Sequence, residues 1–271
     1  FKVLHEYTLT PSQMDETIKW MRVQDLDALG QATSTSAERL RLLPIASRVL
    51  EELVAQAEPG LIAISSYGLR EGMLYEIMPA SMRKLDPLIE ACRQMEKTSA
   101  RFPGFGQALY QWLQPIFADL DDANRRLLLA ACLLHDTSWR AHPDYRGEVC
   151  FDSITRANLG GVDHKGRLLL GYAITSRYKA SVRRNLEDPS LGLLSAEEKS
   201  FAVLIGRALR LGAMLSGGQF GLLENSALEI NGETLRLTLT GPARELDGEV
   251  VEKRLASVAG SINRVPELIL A

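Results

Sequence analysis

Apolar positions along the chain switch between two periods. Residues 2–9 alternate as a strand does, and Thr10-Pro11-Ser12 then opens a helix through Met14 to Met21. Behind Ser36, an N-cap residue type with Glu38 in the first turn, Leu40, Leu43, Ala46, Val49, Leu50 and Leu53 recur at three and four residues and predict a second helix to about Ala57. Pro59-Gly60 stops it, Leu61–Ile64 reads as a short apolar strand, and a glycine-framed turn leads to a helix over 71–78. Strand, helix, strand, helix is the order of an α/β half-domain. From about Leu85 to Ser216 the pattern changes to amphipathic runs at 107–117, 123–135, 168–184 and 196–215, which predict a helical domain. Residues 226–240 alternate around Asn231-Gly232, a hairpin signal, and a helix from about Gly248 to Ile262 completes a small α+β tail.

Length changes the picture only by excluding a single small core: 271 residues and 30.0 kDa suit two domains, or two with an appendage. Net charge of −3, pI 5.9, 46% hydrophobic and 24% charged residues describe a globular protein with no overall bias toward nucleic acid. No window approaches about 18 consecutive apolar residues, and Phe1-Lys2-Val3-Leu4-His5 lacks a leader pattern, so the expected location is cytoplasmic with no membrane partner. Cys92, Cys132 and Cys150 are widely spaced without a C-x-x-C pair, which predicts buried free thiols. The chain starts without Met and runs into a strand-like segment, so it reads as a fragment of a longer protein.

Three features could carry chemistry. In the turn Ser65-Ser66-Tyr67-Gly68-Leu69-Arg70-Glu71-Gly72, the glycines let backbone approach a ligand, and the helix start with the Arg70 guanidinium could hold a phosphate. Glu71 opposes an anion there unless paired or bridged by a metal, and Arg70 with Glu71 equally suits internal ion pairing. Leu133-Leu134-His135-Asp136 looks like the signature of metal-dependent His-Asp phosphohydrolases. Such a site also needs an upstream His and a later Asp, and the region from Arg93 to Asn124 has no His. His135 and Asp136 are therefore expected to form a vestigial pocket without metal, with His142 a candidate neighbour. Finally, Lys165, Arg167, Arg177, Lys179, Arg183 and Arg184 lie in a window without acidic residues, with Arg177 and Arg184 on one helical face and Arg207 and Arg210 further on. That excess favours a polyanion, and the shortage of stacking aromatics, Tyr172 and Tyr178 alone, disfavours nucleic acid. A solvated helical surface is the other reading.

The turn at 65–74, the helix behind Ser36, the Leu-Leu-His-Asp helix end, the helix over 207–215 and the hairpin-plus-helix tail together resemble the exopolyphosphatase and guanosine pentaphosphate phosphatase family. The resemblance implies an α/β plus α class: the end of an actin-like (ribonuclease H-like) α/β domain over 1–82, a helical His-Asp phosphohydrolase-like domain over 85–222, and a small α+β tail over 223–271. It further implies that Ser66, Tyr67, Gly68, Arg70 and Glu71 line a phosphate cleft, that Arg177 and Arg184 belong to a basic wall for polyphosphate, and that the protein is a homodimer. The implied reaction is attack of water on a terminal phosphoryl group with Mg²⁺, the catalytic base lying outside these residues. Its substrate would be inorganic polyphosphate or guanosine pentaphosphate or tetraphosphate. A non-catalytic nucleotide- or polyanion-binding regulatory module is the alternative.

Overall fold

The computed structural model describes residues 3–178 and 188–271. They fall into two compact units, Leu4–Gly72 and Met73–Ala271, with Val3 grouped with the second. The whole is a mostly helical α+β chain with two small sheets.

In the first unit, β1 (Tyr7–Leu9) pairs antiparallel with β2 (Ile62–Ile64), and α1 (Pro11–Arg22), α2 (Leu26–Thr33) and α3 (Ala37–Ala57) lie between them in sequence. The strand expected over 2–9 is confined to its last three residues. α1 starts where the sequence indicated: the Thr10 hydroxyl accepts from Gln13 N–H, Gln13 returns the bond to Thr10 N–H, and Pro11 fills the first turn. Leu9, Met14 and Ile18 form the buried core of this unit. Along α3, by contrast, Leu42, Ile45, Val49 and Leu53 are exposed.

α4 (Leu69–Ile77) and α5 (Ala80–Arg83) precede the helices α6 (Pro87–Ser99), α7 (Phe105–Leu113), α8 (Asp122–Leu134), α9 (Arg146–Arg156), α10 (His164–Tyr178), α11 (Ala196–Ser216) and α12 (Phe220–Glu224). The helix expected over 107–117 splits, because Pro115 cannot continue the α pattern and Gln114–Phe117 tightens into a 3₁₀ turn. Asp86 caps α6 by accepting from Leu88 and Ile89 N–H, and Arg126 of α8 grips the same carboxylate, which tethers the two helices. Close helix approaches occur at glycines. A Cβ on Gly106 of α7 would sit 2.6 Å from the Cys132 carbonyl, and one on Gly206 of α11 would sit 2.4 Å from the Ala173 carbonyl and 2.8 Å from Arg177 N.

The tail contributes β3 (Ser226–Asn231), β4 (Thr234–Leu239), α13 (Glu249–Ser261) and β5 (Val265–Leu270). β3 and β4 form the expected hairpin, with Gly232 at φ 55° in its turn. β5, which the alternation did not reveal, pairs parallel with β4, so that α13 is the crossover and β4 the central strand. Leu235, Leu237 and Leu239 on the inner face of β4 join one continuous core with Leu88, Leu109, Leu134, Ile174, Leu209 and Leu255. The Trp112 indole N–H donates to Ser226, adding a polar link between helices and tail.

Candidate functional site

Two candidate sites lie in different units, and each is built differently.

In the unit 4–72, β2 delivers Ser65, Ser66 and Tyr67 to the turn before α4. Ser66 N–H donates to His5 Nδ1 at 3.1 Å, and the His5 ring meets Tyr67 edge-on at 4.7 Å between centroids. His5 is buried and 3.5 Å from the Glu6 carboxylate. It thus acts as the anchor of the turn, although no local pattern in the sequence marks it. The Ser65 hydroxyl bonds the Tyr67 backbone, accepting from its N–H and donating to its carbonyl. Glu71 folds back to accept from Gly68 N–H at 2.8 Å, half of a capping box, and Arg70 Nε lies 3.3 Å from its other oxygen. The Gly68 N–H bond, then Glu71's own backbone N–H and, least, Arg70, hold the Glu71 carboxyl below its ordinary range. The Arg70 side chain itself is 86% exposed. Ser66, Tyr67, Gly68, Arg70 and Glu71 therefore share one turn, with one guanidinium facing outward and one carboxylate turned into the backbone.

In the unit 73–271, α8 ends at His135, and Asp136 follows. The His135 Nδ1 is 2.7 Å from the Cys132 carbonyl, which can only accept, so Nδ1 carries the proton of a neutral ring. Burial, then the Arg177 charge, depresses His135 to about 3. Asp136 does not bond His135. Its two oxygens take a forked pair of bonds from Arg101 (Nη2 at 2.6 Å, Nε at 2.9 Å), and the Arg101 backbone N–H adds a third. Arg177 Nη2 approaches to 3.6 Å. Asp136 is buried, which raises its carboxyl, but Arg101 and Arg177 outweigh that and hold it below the ordinary value. Arg177 also donates to the His135 carbonyl and to the Tyr178 hydroxyl, and its guanidinium lies over the Tyr178 ring.

These contacts determine what the His-Asp pair can hold. A cation would have to displace two guanidiniums from Asp136, and among the described residues no three His, Cys, Asp or Glu gather where a metal could bind. His142 is exposed, 3.7 Å from Asp144, and takes no part in the pocket. The three thiols are buried and free, and burial raises each of them, Cys92 to about 12, so none is an available nucleophile.

Of the three described members of the basic run, Arg167 and Arg177 are turned inward. Lys165 pairs with Glu198 at 2.8 Å, Arg167 is buried and donates to the Ala157 and Leu159 carbonyls, and Arg177 is buried against Asp136. Arg177 thus clamps the His-Asp pair and does not stand on a solvated wall. Arg184, with Lys179 and Arg183, lies outside the described residues.

Sequence reasoning missed Arg101, which sits in a stretch without a readable pattern, and Glu96. The Glu96 carboxylate is buried and accepts from Gly106 N–H at 2.7 Å, and burial raises its pKa despite bonds from Gly106 and Gly104. A glutamate in an otherwise amphipathic helix gives no sign that it will point inward. No described helix is long and apolar enough to cross a membrane.

The family model described as "Exopolyphosphatase, C-terminal" matches residues 88–269, which includes the His-Asp cluster and the whole tail. No curated protein matches the chain at a significant level. With a helical unit and tail covered from α6 to β5, the chain belongs to the exopolyphosphatase family through its C-terminal domain.

Proposed function

We propose that the chain is part of a hydrolase that releases terminal phosphate from inorganic polyphosphate, with guanosine pentaphosphate or tetraphosphate as the nucleotide counterpart. The observation that carries this reading is the family match over 88–269, joined to a turn at 65–72 that presents an exposed guanidinium at a helix start while its carboxylate is tied back. Arg70, with backbone N–H groups of the turn, would bind a phosphoryl oxygen, and Ser66, Tyr67 and Gly68 would shape the approach.

On this reading, residues 4–72 are the end of an actin-like domain and the helices are His-Asp phosphohydrolase-like in shape only. The exposed apolar row Leu42, Ile45, Val49 and Leu53 of α3 is then the face that the rest of such a domain would cover. The catalytic base, and the ligands for Mg²⁺, would come from outside these residues. Mg²⁺ would neutralise phosphate charge in the complete protein, but the described residues offer it no cluster of ligands. Arg184 and a homodimeric assembly belong to the same proposal, as does a cytoplasmic location.

A second reading is favoured by the arginine clamp on Asp136: a non-catalytic module that binds a phosphorylated nucleotide or other polyanion. Turnover of the complete protein separates the two. Arg70→Ala is expected to lower phosphate release by about 100-fold or more, as loss of a donor to transition-state charge does. Unchanged turnover would remove this turn from the active cleft.

A further inference from the structure

The three-stranded sheet of the tail leaves one edge open. β4 lies between β3 and β5, so β5 has a strand on one side only. In its parallel ladder Val265 N–H donates to the Glu233 carbonyl and Ala271 N–H to the Leu239 carbonyl, which turns residues 265, 267, 269 and 271 toward β4. Pro266, Leu268 and Leu270 therefore point their backbone groups away from the sheet. Pro266 has no N–H to offer, but its carbonyl and the N–H and carbonyl groups of Leu268 and Leu270 have no hydrogen-bond partner among the described residues. At the other edge the Ser226 carbonyl already accepts from Trp112.

The side chains of the same three residues continue the buried face of the sheet. Leu235, Leu237 and Leu239 stand opposite them in register and are fully buried, whereas Leu268 is half-buried and Leu270 is 44% exposed. The apolar layer thus runs out to the edge uncovered. Beside it α13 and β5 enclose a groove of about 610 Å³, floored by Leu255, Ala256, Pro266 and Leu268 and rimmed by Glu249, Glu252 and Lys253. An open strand edge along an apolar groove beside a helix is the geometry in which an extended peptide adds a strand: main-chain bonds hold it, and alternate side chains enter the groove.

We propose that β5 and α13 form a docking site for an extended segment of a partner protein, with alternate apolar side chains for the groove and a lysine or arginine for the rim at Glu249 and Glu252. The charge of the rim selects this occupant. Two carboxylates against one ammonium leave it acidic, and neither carboxylate has an ion-pair partner among the described residues. A second copy of the chain fits less well: its β5 would bring Pro266, which lacks a ladder donor, and its α13 would bring Glu249 and Glu252 to the same face. The site lies within the tail and rests on its geometry, not on the polyphosphate reading.

The test selects binders of the complete protein from a phage-displayed library of random decapeptides and measures each as a synthetic peptide by fluorescence anisotropy. The selected peptides are expected to alternate apolar residues and carry Lys or Arg, and on binding to slow hydrogen exchange at the Leu268 and Leu270 N–H groups by at least about 10-fold. Leu270→Pro, which removes an outward N–H that the fold does not use, should bind at least about 5-fold more weakly than Leu270→Ala, which keeps it. Glu252→Lys, on the exposed rim, should weaken binding by about 3- to 10-fold without lowering the melting temperature. Equal affinity of Leu270→Pro and Leu270→Ala, or peptides that bind without slowing these two amides, would overturn the site, as would a selection that yields no such binders. Slow exchange of both amides in the free protein would overturn it too: if it depends on protein concentration, a second copy is the occupant, and if it does not, the chain covers its own edge. Turnover of the complete protein and its Arg70→Ala variant decides the function independently.

Discussion

The turn at 65–72 and the His135-Asp136 cluster use the same residue types to opposite ends. In the turn, Arg70 and Glu71 are adjacent in sequence and largely in water, and their mutual attraction is screened. In the cluster, Asp136 is gripped by Arg101 from 35 residues upstream and Arg177 from α10, and the whole assembly is buried except for the outer side of Arg101. The difference matters for function. A guanidinium that is not needed to hold the fold remains available to a ligand, whereas one that neutralises a buried carboxylate is not. The two units differ in the same way: a three-residue core of Leu9, Met14 and Ile18 supports the unit 4–72, while one continuous core supports the unit 73–271.

The contrast is most sharply tested at Asp136. Asp136→Ala leaves buried Arg177 facing Arg101 without a counter-charge and should cost about 3–5 kcal/mol in equilibrium unfolding of the unit 73–271. Gly206→Ala should follow with about 1–3 kcal/mol, since the new methyl meets backbone atoms of α10 that cannot rotate away; calorimetry would show both. Acid should weaken the cluster first, and the turn only further down, once Glu71, held below its ordinary 4.5, takes up a proton. His135 stands near 3 in the folded chain against an ordinary 6.5, so between those values the unfolded chain binds a proton that the folded chain excludes. Stability should therefore fall as pH drops below about 6.5, by at most about 1.4 kcal/mol per pH unit from this group. Asp136, held low, adds to the loss below its ordinary 3.8, while Glu96, held high, works in the other direction above its ordinary 4.5. In His135→Gln the slope between about pH 6.5 and 5 should flatten. The smallest stability effect belongs to Arg70→Ala, for which the melting temperature should not move measurably. A clear drop would show that the turn, too, is held together by its arginine.

Hydrogen exchange should reveal the same asymmetry without mutation. Amides of β1 and β2 should exchange through openings well below the global unfolding free energy, and those of α8 and α10 only near it. Equal protection in both units would contradict the comparison of their cores.

Elements governed by local chemistry were legible in the sequence: the Thr10 cap and Pro11, the hairpin at Asn231-Gly232, and the helices over 196–215 and 248–262. β5 was not, because its partner strand is supplied by a parallel crossover and its Val265-Pro266-Glu267 start has no alternation to read. In the candidate sites, the turn residues could be named from their glycine frame and the His-Asp pair from its place at the end of an apolar helix, both through their resemblance to family signatures. Arg101 and His5 could not, since each acts on a residue 35 or 61 positions away that only the fold brings near. Arg177 was visible as a charge in a basic run, but charge alone does not reveal that a buried carboxylate awaits it.

Phosphate release from long-chain polyphosphate with Mg²⁺, measured for the 271-residue chain beside the complete protein, tests the central claim most directly. The expected result is release by the complete protein and none by the chain alone. Robust release by the chain alone would contradict it, because the catalytic apparatus would then lie among these 271 residues.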